Sequence, residues 1–479
     1  METDKRTHKS KENPLTSDFL SEQIEAEYHE GCDQQDFRLF PFHTFTYKDK
    51  CMMIRNDSGT TIFADRAFAD RVLSGHIDEK TKYFLISRGF AAAPASPVIS
   101  EPASLILPTF FLIDMTNTCN LACSYCFRVP EHKGRSISSE AVYKICGYIE
   151  KHCRKHNIRR ISIQPWGGEP LLQLDRIIEI CEYFEKVRDI SVCLTIETNG
   201  TLLTEEVIKK LNDHHVILSI STDGIPAIQD YQRRDRNNAG TSEKVKNACT
   251  AVSNSCNYNL GGICVLTDRS LGHIAEILEY SETELHMNGL KMNIMRQPAY
   301  PVEGIRALTL DEIADAAKEI VAAMIVIKQR GSSFREMNCE DRIQNLISRG
   351  NGNICHSCGC CGGRRMVSFD MVGNIYPCEL TDWPDERLGN ISDGEDLCEL
   401  VARAIAADKP YFRAKEKKEC AECPWLYYCR GGCSSHIKYL HLENHGDIVD
   451  EAECALNKAM YPLLVKALLA MPQLFEGRQ

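Results

Sequence analysis

Cys119-Asn120-Leu121-Ala122-Cys123-Ser124-Tyr125-Cys126-Phe127 is the stretch on which the reading of this chain turns. Its three thiols follow an apolar run, Thr109–Asp114, that reads as a strand. A structural zinc takes four ligands, and no fourth Cys or His stands beside these three. An iron–sulfur cubane is normally held by four Cys thiolates. Three thiolates therefore leave one iron open to a substrate or cofactor. In α/β folds the active site gathers at the C-terminal ends of the strands, which is where this loop stands.

The chain outside the loop agrees with that placement. Strand patterns fall at Thr109–Asp114, Arg160–Gln164, Val192–Glu197, Val216–Ser221, Gly262–Leu266 and Leu290–Met295. Helical patterns alternate with them at Ser139–His156, Leu174–Val187, Thr204–Asp213, Ser242–Ser255 and Leu271–His286. Such alternation predicts a parallel sheet with helices outside. Six strands are too few to close an eight-stranded barrel. The expected fold is α/β, a partial (β/α)6 barrel over 109–309. A bridging helical segment over 310–354 follows, with Leu310–Gln329 as one long helix.

Short motifs stand at the other strand ends. They are Trp166-Gly167-Gly168-Glu169-Pro170, Glu197-Thr198-Asn199-Gly200, and Ser219-Ile220-Ser221-Thr222-Asp223-Gly224 followed by Gln229-Asp230-Tyr231-Gln232-Arg233. Glycines let a backbone approach a ligand closely, and an adjacent carboxylate can accept from an ammonium. With these motifs in this order, the chain resembles the radical S-adenosylmethionine (SAM) superfamily. That resemblance implies a [4Fe–4S] cluster on Cys119, Cys123 and Cys126, whose open iron binds SAM. SAM is then cleaved reductively to a 5′-deoxyadenosyl radical that abstracts hydrogen. It further implies SAM contacts from Tyr125, Gly167, Gly168, Glu169, Ser221, Arg233 and Ile294. Relatives carry a histidine where this chain has Gln229.

Cysteine is the compositional outlier, at 24 of 479 residues. Clustered thiols in a reducing compartment bind metals more often than they pair. Scattered ones such as Cys146, Cys181 and Cys249 read as small buried apolar residues. A second constellation occupies the C-terminal region: Cys361, Gly373-Asn-Ile-Tyr-Pro-Cys378, Cys420-Ala-Glu-Cys423, Cys429, Cys433 and Cys454. Its spacing resembles the SPASM domain, which binds two auxiliary [4Fe–4S] clusters and would occupy 355–479. By resemblance to anaerobic sulfatase-maturing enzymes, Cys355 joins Cys361, Cys378 and Cys433 on the first, and Cys420, Cys423, Cys429 and Cys454 hold the second. Three clusters are thus expected in all. Four-cysteine ligation favours electron transfer over substrate binding. Cys358 and Cys360 also lie in this stretch, so which of its thiols ligate stays open, as does a zinc ribbon at Cys420/Cys423. Glu379 follows Cys378 where those enzymes have an Asp proposed as the base, which makes it the candidate catalytic residue.

Residues 1–108 read as a small α+β unit. A polar stretch over 1–36 carries a short helical pattern around Phe19–Tyr28. Strands follow at Phe42–Tyr47, Cys51–Arg55 and Thr60–Phe63, then helices near Asp65–Leu73 and Glu79–Arg88. Ala91–Pro108 is rich in Ala, Pro and Ser and reads as a linker. Many peptide-modifying relatives have a leader-recognition module here, to which a peptide adds as a strand. A cap on the barrel is the alternative.

The net charge of −11 speaks against nucleic acid as a partner. No apolar run reaches the roughly 18–20 residues of a membrane helix. Met1–Asn13 is polar, unlike a secretory segment. A cytoplasmic protein follows. The resemblance implies a ribosomal precursor peptide, or a sulfatase, as substrate and flavodoxin or ferredoxin as reductant. A non-catalytic iron–sulfur sensor or electron carrier is the remaining alternative, which the SAM-site motifs oppose.

Overall fold

The computed structural model describes residues 19–34, 37–92, 107–128, 134–255, 259–295, 304–348, 353, 355, 359–380, 383–406, 417–437 and 449–475. Strands β1 (Glu25–His29), β4 (Phe42–Tyr47), β5 (Lys50–Ile54) and β6 (Thr61–Asp65) form one antiparallel sheet in the order β1-β4-β5-β6. Strands β2 (Cys32–Gln34), β3 (Phe37–Leu39) and β7 (Ala91–Ala92) form a second. Helices α1 (Arg66–Leu73) and α2 (Glu79–Ser87) complete this N-terminal unit. Its separate core holds Phe37, Phe42, Met53, Val72, Leu85 and Phe90.

The helical expectation around Phe19–Tyr28 is corrected here. Only Phe19–Ser21 are helical, and Glu25–His29 pairs with β4 in the register Glu25↔Thr46 to His29↔Phe42. A sheet edge in need of a partner outweighs weak local helix preference. The linker expectation is also partly corrected, because Ala91 and Ala92 pair with Leu39 and Arg38. Residues 93–106 of that linker lie outside the described residues.

The barrel strands are β8 (Phe110–Thr116), β9 (Arg160–Gly167), β10 (Ser191–Thr198), β11 (Ile217–Ser221), β12 (Gly261–Leu266) and β13 (Gly289–Ile294). All six run parallel, in sequence order. Helices α3 (Ser139–Lys155), α4 (Leu174–Glu185), α5 (Glu205–Asp213), α6 (Pro226–Gln232), α7 (Ser242–Asn254) and α8 (Ile274–Thr283) connect them. Ser138 caps α3 by accepting from Ala141 N, and Thr204 caps α5 by accepting from Val207 N. The apolar content of β8, Phe-Phe-Leu-Ile, suits a strand covered on both faces. Cys146, Cys181 and Cys249 are buried in α3, α4 and α7, as expected.

Helix α9 (Leu310–Gln329) follows with a complete Thr309/Glu312 capping box. Strand β14 (Arg335–Glu336) then joins the β13 edge, and α10 (Met337–Ser348) succeeds it. The C-terminal region extends the barrel sheet. Strand β15 (Met366–Phe369) pairs parallel with β8, and β16 (Asn374–Tyr376) and β17 (Gly389–Asn390) follow antiparallel. The sheet thus has ten strands among the described residues. Helix α11 (Leu397–Ala406) comes next, and α12 (Glu451–Ala470) closes the chain against α9. No helix among the described residues is long and apolar enough to cross a membrane.

Candidate active site at the strand ends

The Cys119–Cys126 loop leaves β8 and is tied down by the last residue of α6 and the segment after it. Ala122 N donates to Arg234 O at 2.8 Å, Ser124 N to Gln232 O at 2.9 Å, and Arg236 Nε to Cys119 O at 2.8 Å. Burial pushes Cys119 up to about 11 and Cys126 up to about 12. A bound metal's charge would make thiolates of them at neutral pH. Phe127 stacks on Trp166, and Arg128 lies over the same indole at 4.9 Å while gripping Asp114 with two nitrogens.

Beside the loop, Gly167 has φ 142°, and a Cβ there would meet Thr116 O at 2.3 Å. A Cβ on Gly168 would meet Thr118 O at 2.2 Å. The following Glu169 is buried, with Oε1 accepting from Thr198 Oγ1 (2.7 Å) and Leu171 N (3.0 Å) and Oε2 from Asn199 N (2.8 Å). A carboxylate has about four acceptor positions, so Oε2 keeps one for an ammonium. Asn199 turns the next strand end towards the thiols, its Nδ2 lying 2.8 Å from Asn120 Oδ1 and 3.9 Å from Cys119 Sγ.

Tyr125, Asp223 and Arg233 form a buried network. The Tyr125 hydroxyl lies 3.0 and 2.9 Å from the two Asp223 oxygens, and Arg233 donates to it at 2.6 Å. Gln232 Nε2 and Val265 N also donate to Asp223. Gln229 accepts from Asp223 N at 2.7 Å and donates to Thr241 Oγ1 at 3.0 Å. It therefore shapes the turn bearing Asp223. Arg233 Nε is buried without a hydrogen-bond partner, a donor that a ligand carboxylate would satisfy. Ser221 is half-buried at the end of β11, and Ile294 is buried at the end of β13. The donor set, the orphaned Nε–H and the glycine cradle together fit a [4Fe–4S] cluster with SAM.

The C-terminal cysteines assemble in two places. Cys420 and Cys423 lie within electrostatic reach of Cys454, and Cys429 within reach of Cys423 and Cys454. Cys355 senses Cys360 and Cys433, and Cys378 senses Cys360. Cys360 thus stands among the first set, and Cys361 is buried beside it. Cys358 lies outside the described residues. The N-terminal unit docks on the second set. His43 Nε2 is 2.7 Å from Glu422 O, Asn56 Nδ2 donates to Ala421 O at 2.6 Å, and Phe45 stacks on Trp425.

Glu379 comes within electrostatic reach of Glu197 at the end of β10. Glu197 also senses Lys291 and hydrogen-bonds Gln164. Strands β10 and β13 are separated by two others, so Glu197 and Lys291 can meet only across the concave face. Glu197 is solvent-accessible on the concave face, and the thinning of water around it there, then the Glu379 carboxylate, push it up to about 7. Burial likewise raises Glu379, which lies 2.9 Å from Cys378 Sγ and senses Arg128. Lys291 and Gln164 escaped the sequence reading. Their signal was a polar residue at the inward position of an otherwise apolar strand. Asp223 and Asn199 stood inside the quoted motifs without an assigned part.

The radical SAM superfamily profile matches residues 113–280. The chain is 25% identical over 324 residues to the cysteine-type anaerobic sulfatase-maturating enzyme of Clostridium perfringens strain 13, spanning 66% of this chain and 85% of that one. Native anSMEcpe with bound AdoMet and Cp18Cys peptide superposes with a TM-score of 0.63 at 22% identity, covering 77% of this chain and 98% of that one. SuiB of Streptococcus suis bound to S-adenosylmethionine does so at 0.50 and 15%, covering 85% and 96%. Profile, relatives and geometry agree: residues 113–280 of this chain form a radical SAM domain, and the chain is related to the anaerobic sulfatase-maturating enzymes.

Proposed function

We propose that this enzyme is a maturase of a ribosomally made peptide, oxidising it or closing a crosslink such as a thioether within it. The observation that carries the reading is Glu379. A carboxylate delivered by the C-terminal region stands within electrostatic reach of Glu197 at the end of β10 and of Arg128 from the first loop. A base so placed can take a proton from a substrate lying over the strand ends.

In this reading Cys119, Cys123 and Cys126 hold the first cluster, and Tyr125, Gly167, Gly168, Glu169, Ser221, Arg233 and Ile294 surround SAM. Glu169 receives the SAM ammonium at Oε2, and Arg233 Nε donates to its carboxylate. Cys355, Cys361, Cys378 and Cys433 hold one auxiliary cluster and Cys420, Cys423, Cys429 and Cys454 the other, with Cys360 an alternative ligand on the first. When bound, these groups supply a carbon radical that takes a hydrogen atom and an acceptor for the second electron. Glu379 takes the accompanying proton. A flavodoxin or ferredoxin supplies the initiating electron. A leader peptide adding as a strand would use β1 or β6, the edges of the N-terminal sheet.

Formylglycine formation on a sulfatase is the second reading, favoured by the identity to the Clostridium perfringens enzyme. One experiment separates the two. The reduced, cluster-loaded enzyme and SAM are incubated anaerobically with peptides encoded beside its gene and with a sulfatase-derived cysteine peptide. A thioether crosslink removes a pair of hydrogens and keeps sulfur; formylglycine formation from cysteine loses the sulfur. Conversion of the sulfatase peptide alone would overturn the first reading. SAM cleavage that survives replacement of Cys119, Cys123 and Cys126 would overturn both.

A further inference from the structure

At the opposite rim of the barrel, α3 ends against α11 of the C-terminal region. His152 and His156 stand one helical turn apart, and Cys398 faces them from the first turn of α11. One ring nitrogen of each histidine and the Cys398 sulfur lie within 4.8 Å of one another. Both Nε2 atoms are already engaged, which leaves Nδ1 of each ring as the candidate ligand atom. His152 Nε2 is 2.9 Å from Pro108 O, and His156 Nε2 is 2.9 Å from Asp396 Oδ2. His152 Nδ1 is buried with no hydrogen-bond partner.

Metal-bound histidines usually donate the second ring N–H to a carbonyl or carboxylate, which fixes the tautomer and aims the other nitrogen at the metal. Here one histidine has the carbonyl and the other the carboxylate. An apolar core offers no reason to leave His152 Nδ1 unanswered, because a buried polar atom without a partner costs about 1–3 kcal/mol. Lys155 also reaches Asp396, at 3.0 Å, and adds to its hold on the site.

We infer that His152, His156 and Cys398 form a zinc site that pins α11 to α3. Two imidazoles and a thiolate suit zinc, with water as the fourth ligand. Zn–N distances of about 2.0–2.1 Å and a Zn–S distance of about 2.3 Å place tetrahedral donors roughly 3.3–3.6 Å apart. The present spread closes to that with a small movement of α11. Binding releases the Cys398 thiol proton to solvent and involves no redox change. The site lies on the N-terminal rim, where barrels keep residues for stability rather than chemistry.

The test uses the full chain with its iron–sulfur sites loaded first, so that vacant thiols do not capture zinc. Zinc and iron are measured per chain after equilibration with Zn²⁺ and gel filtration, and the zinc absorption edge reports its donors. The expected result is about one zinc per chain with a nitrogen-plus-sulfur shell. Cys398→Ser and His156→Gln, both at half-buried positions that tolerate the change, should each lower zinc at least about tenfold with iron unchanged. Hydrogen exchange across 397–406 should rise in the same variants while that of β8–β13 stays. Wild-type protein without zinc, a sulfur-only shell, or equal zinc in wild type and variants would each overturn the inference.

Discussion

Replacing Arg342 with methionine tests what holds the second C-terminal cysteine set in place. Arg342 lies on α10 with 1% of its side chain exposed, and Glu453 on α12 with 9%. Their charged atoms are 3.0 Å apart. Arg342 also donates to Asn457 Oδ1 at 2.9 Å and Asn338 O at 3.2 Å. Removing one member of a buried pair leaves an uncompensated charge, at a cost of about 3–5 kcal/mol. Unfolding entropy near 2.1 cal/mol/K per residue gives a 479-residue chain about 1 kcal/mol/K. Tm should therefore fall by roughly 3–5 °C. Glu453 directly precedes Cys454, so iron at the Cys420–Cys454 site should fall as well. SAM cleavage at the other end of the molecule should persist. Arg342→Met combined with Glu453→Met removes both charges and should recover most of the loss. The assay is calorimetry with iron analysis on anaerobically prepared protein. A double variant as unstable as the single one would refute the unpaired-charge argument.

Two further outcomes follow from the strand ends and the barrel interior. Gly168→Ala drives a methyl into Thr118 O at 2.2 Å and displaces the backbone beside Cys119, so SAM affinity measured by calorimetry should fall at least about tenfold with little change in Tm. Glu197 has its folded value raised from 4.5 to about 7. The native state therefore holds a proton that the unfolded chain releases, and stability falls as pH rises from about 4.5 to about 7 and then levels. Glu197→Gln should flatten that stretch of a Tm-versus-pH plot; an unchanged slope would show that the lumen carboxylates titrate independently of folding.

Six parallel strands were legible because apolar runs alternate with helical patterns, and the site was legible because polar, glycine-bearing turns end three of them, β9, β10 and β11, in order after the cysteine loop that follows β8. The strands added to the edges of the sheet were not. β14 is two residues long and β15 four, and both exist only because a neighbouring strand offers unpaired backbone groups. β1 is a similar case, with mostly exposed residues paired to β4. Cysteine spacing pointed to both C-terminal clusters of thiols but could not choose between Cys360 and Cys361, adjacent residues whose order along the chain says nothing of which faces Cys378. The His152–His156–Cys398 group was invisible for a different reason. The histidines share a helix with ordinary core spacing, and their third partner comes from a separate helix some 240 residues later.

The N-terminal unit shows how packing changes a functional argument. Read alone, it is a module that could hang from the barrel. In the structure it packs on α10 and α12, and a further group of its contacts falls on one short segment. Ala421 O and Glu422 O accept from Asn56 and His43, Tyr428 Oη lies 2.6 Å from Gly59 O and 2.8 Å from Asn345 O, and the Phe45–Trp425–Tyr461 rings stack in series. That segment carries Cys420, Cys423 and Cys429. Potentials of iron–sulfur clusters depend on solvent exposure and on hydrogen bonds nearby. With a cluster on this segment, as proposed, a unit that shields it would bear on electron transfer whether or not it also binds a leader. The two parts assigned to it from sequence, cap and recognition module, are then not exclusive. In the proposed reading, a peptide added to its sheet edge would sit on a body already fixed to one of the two C-terminal cysteine sets, so occupancy of the edge would bear on the properties of that site.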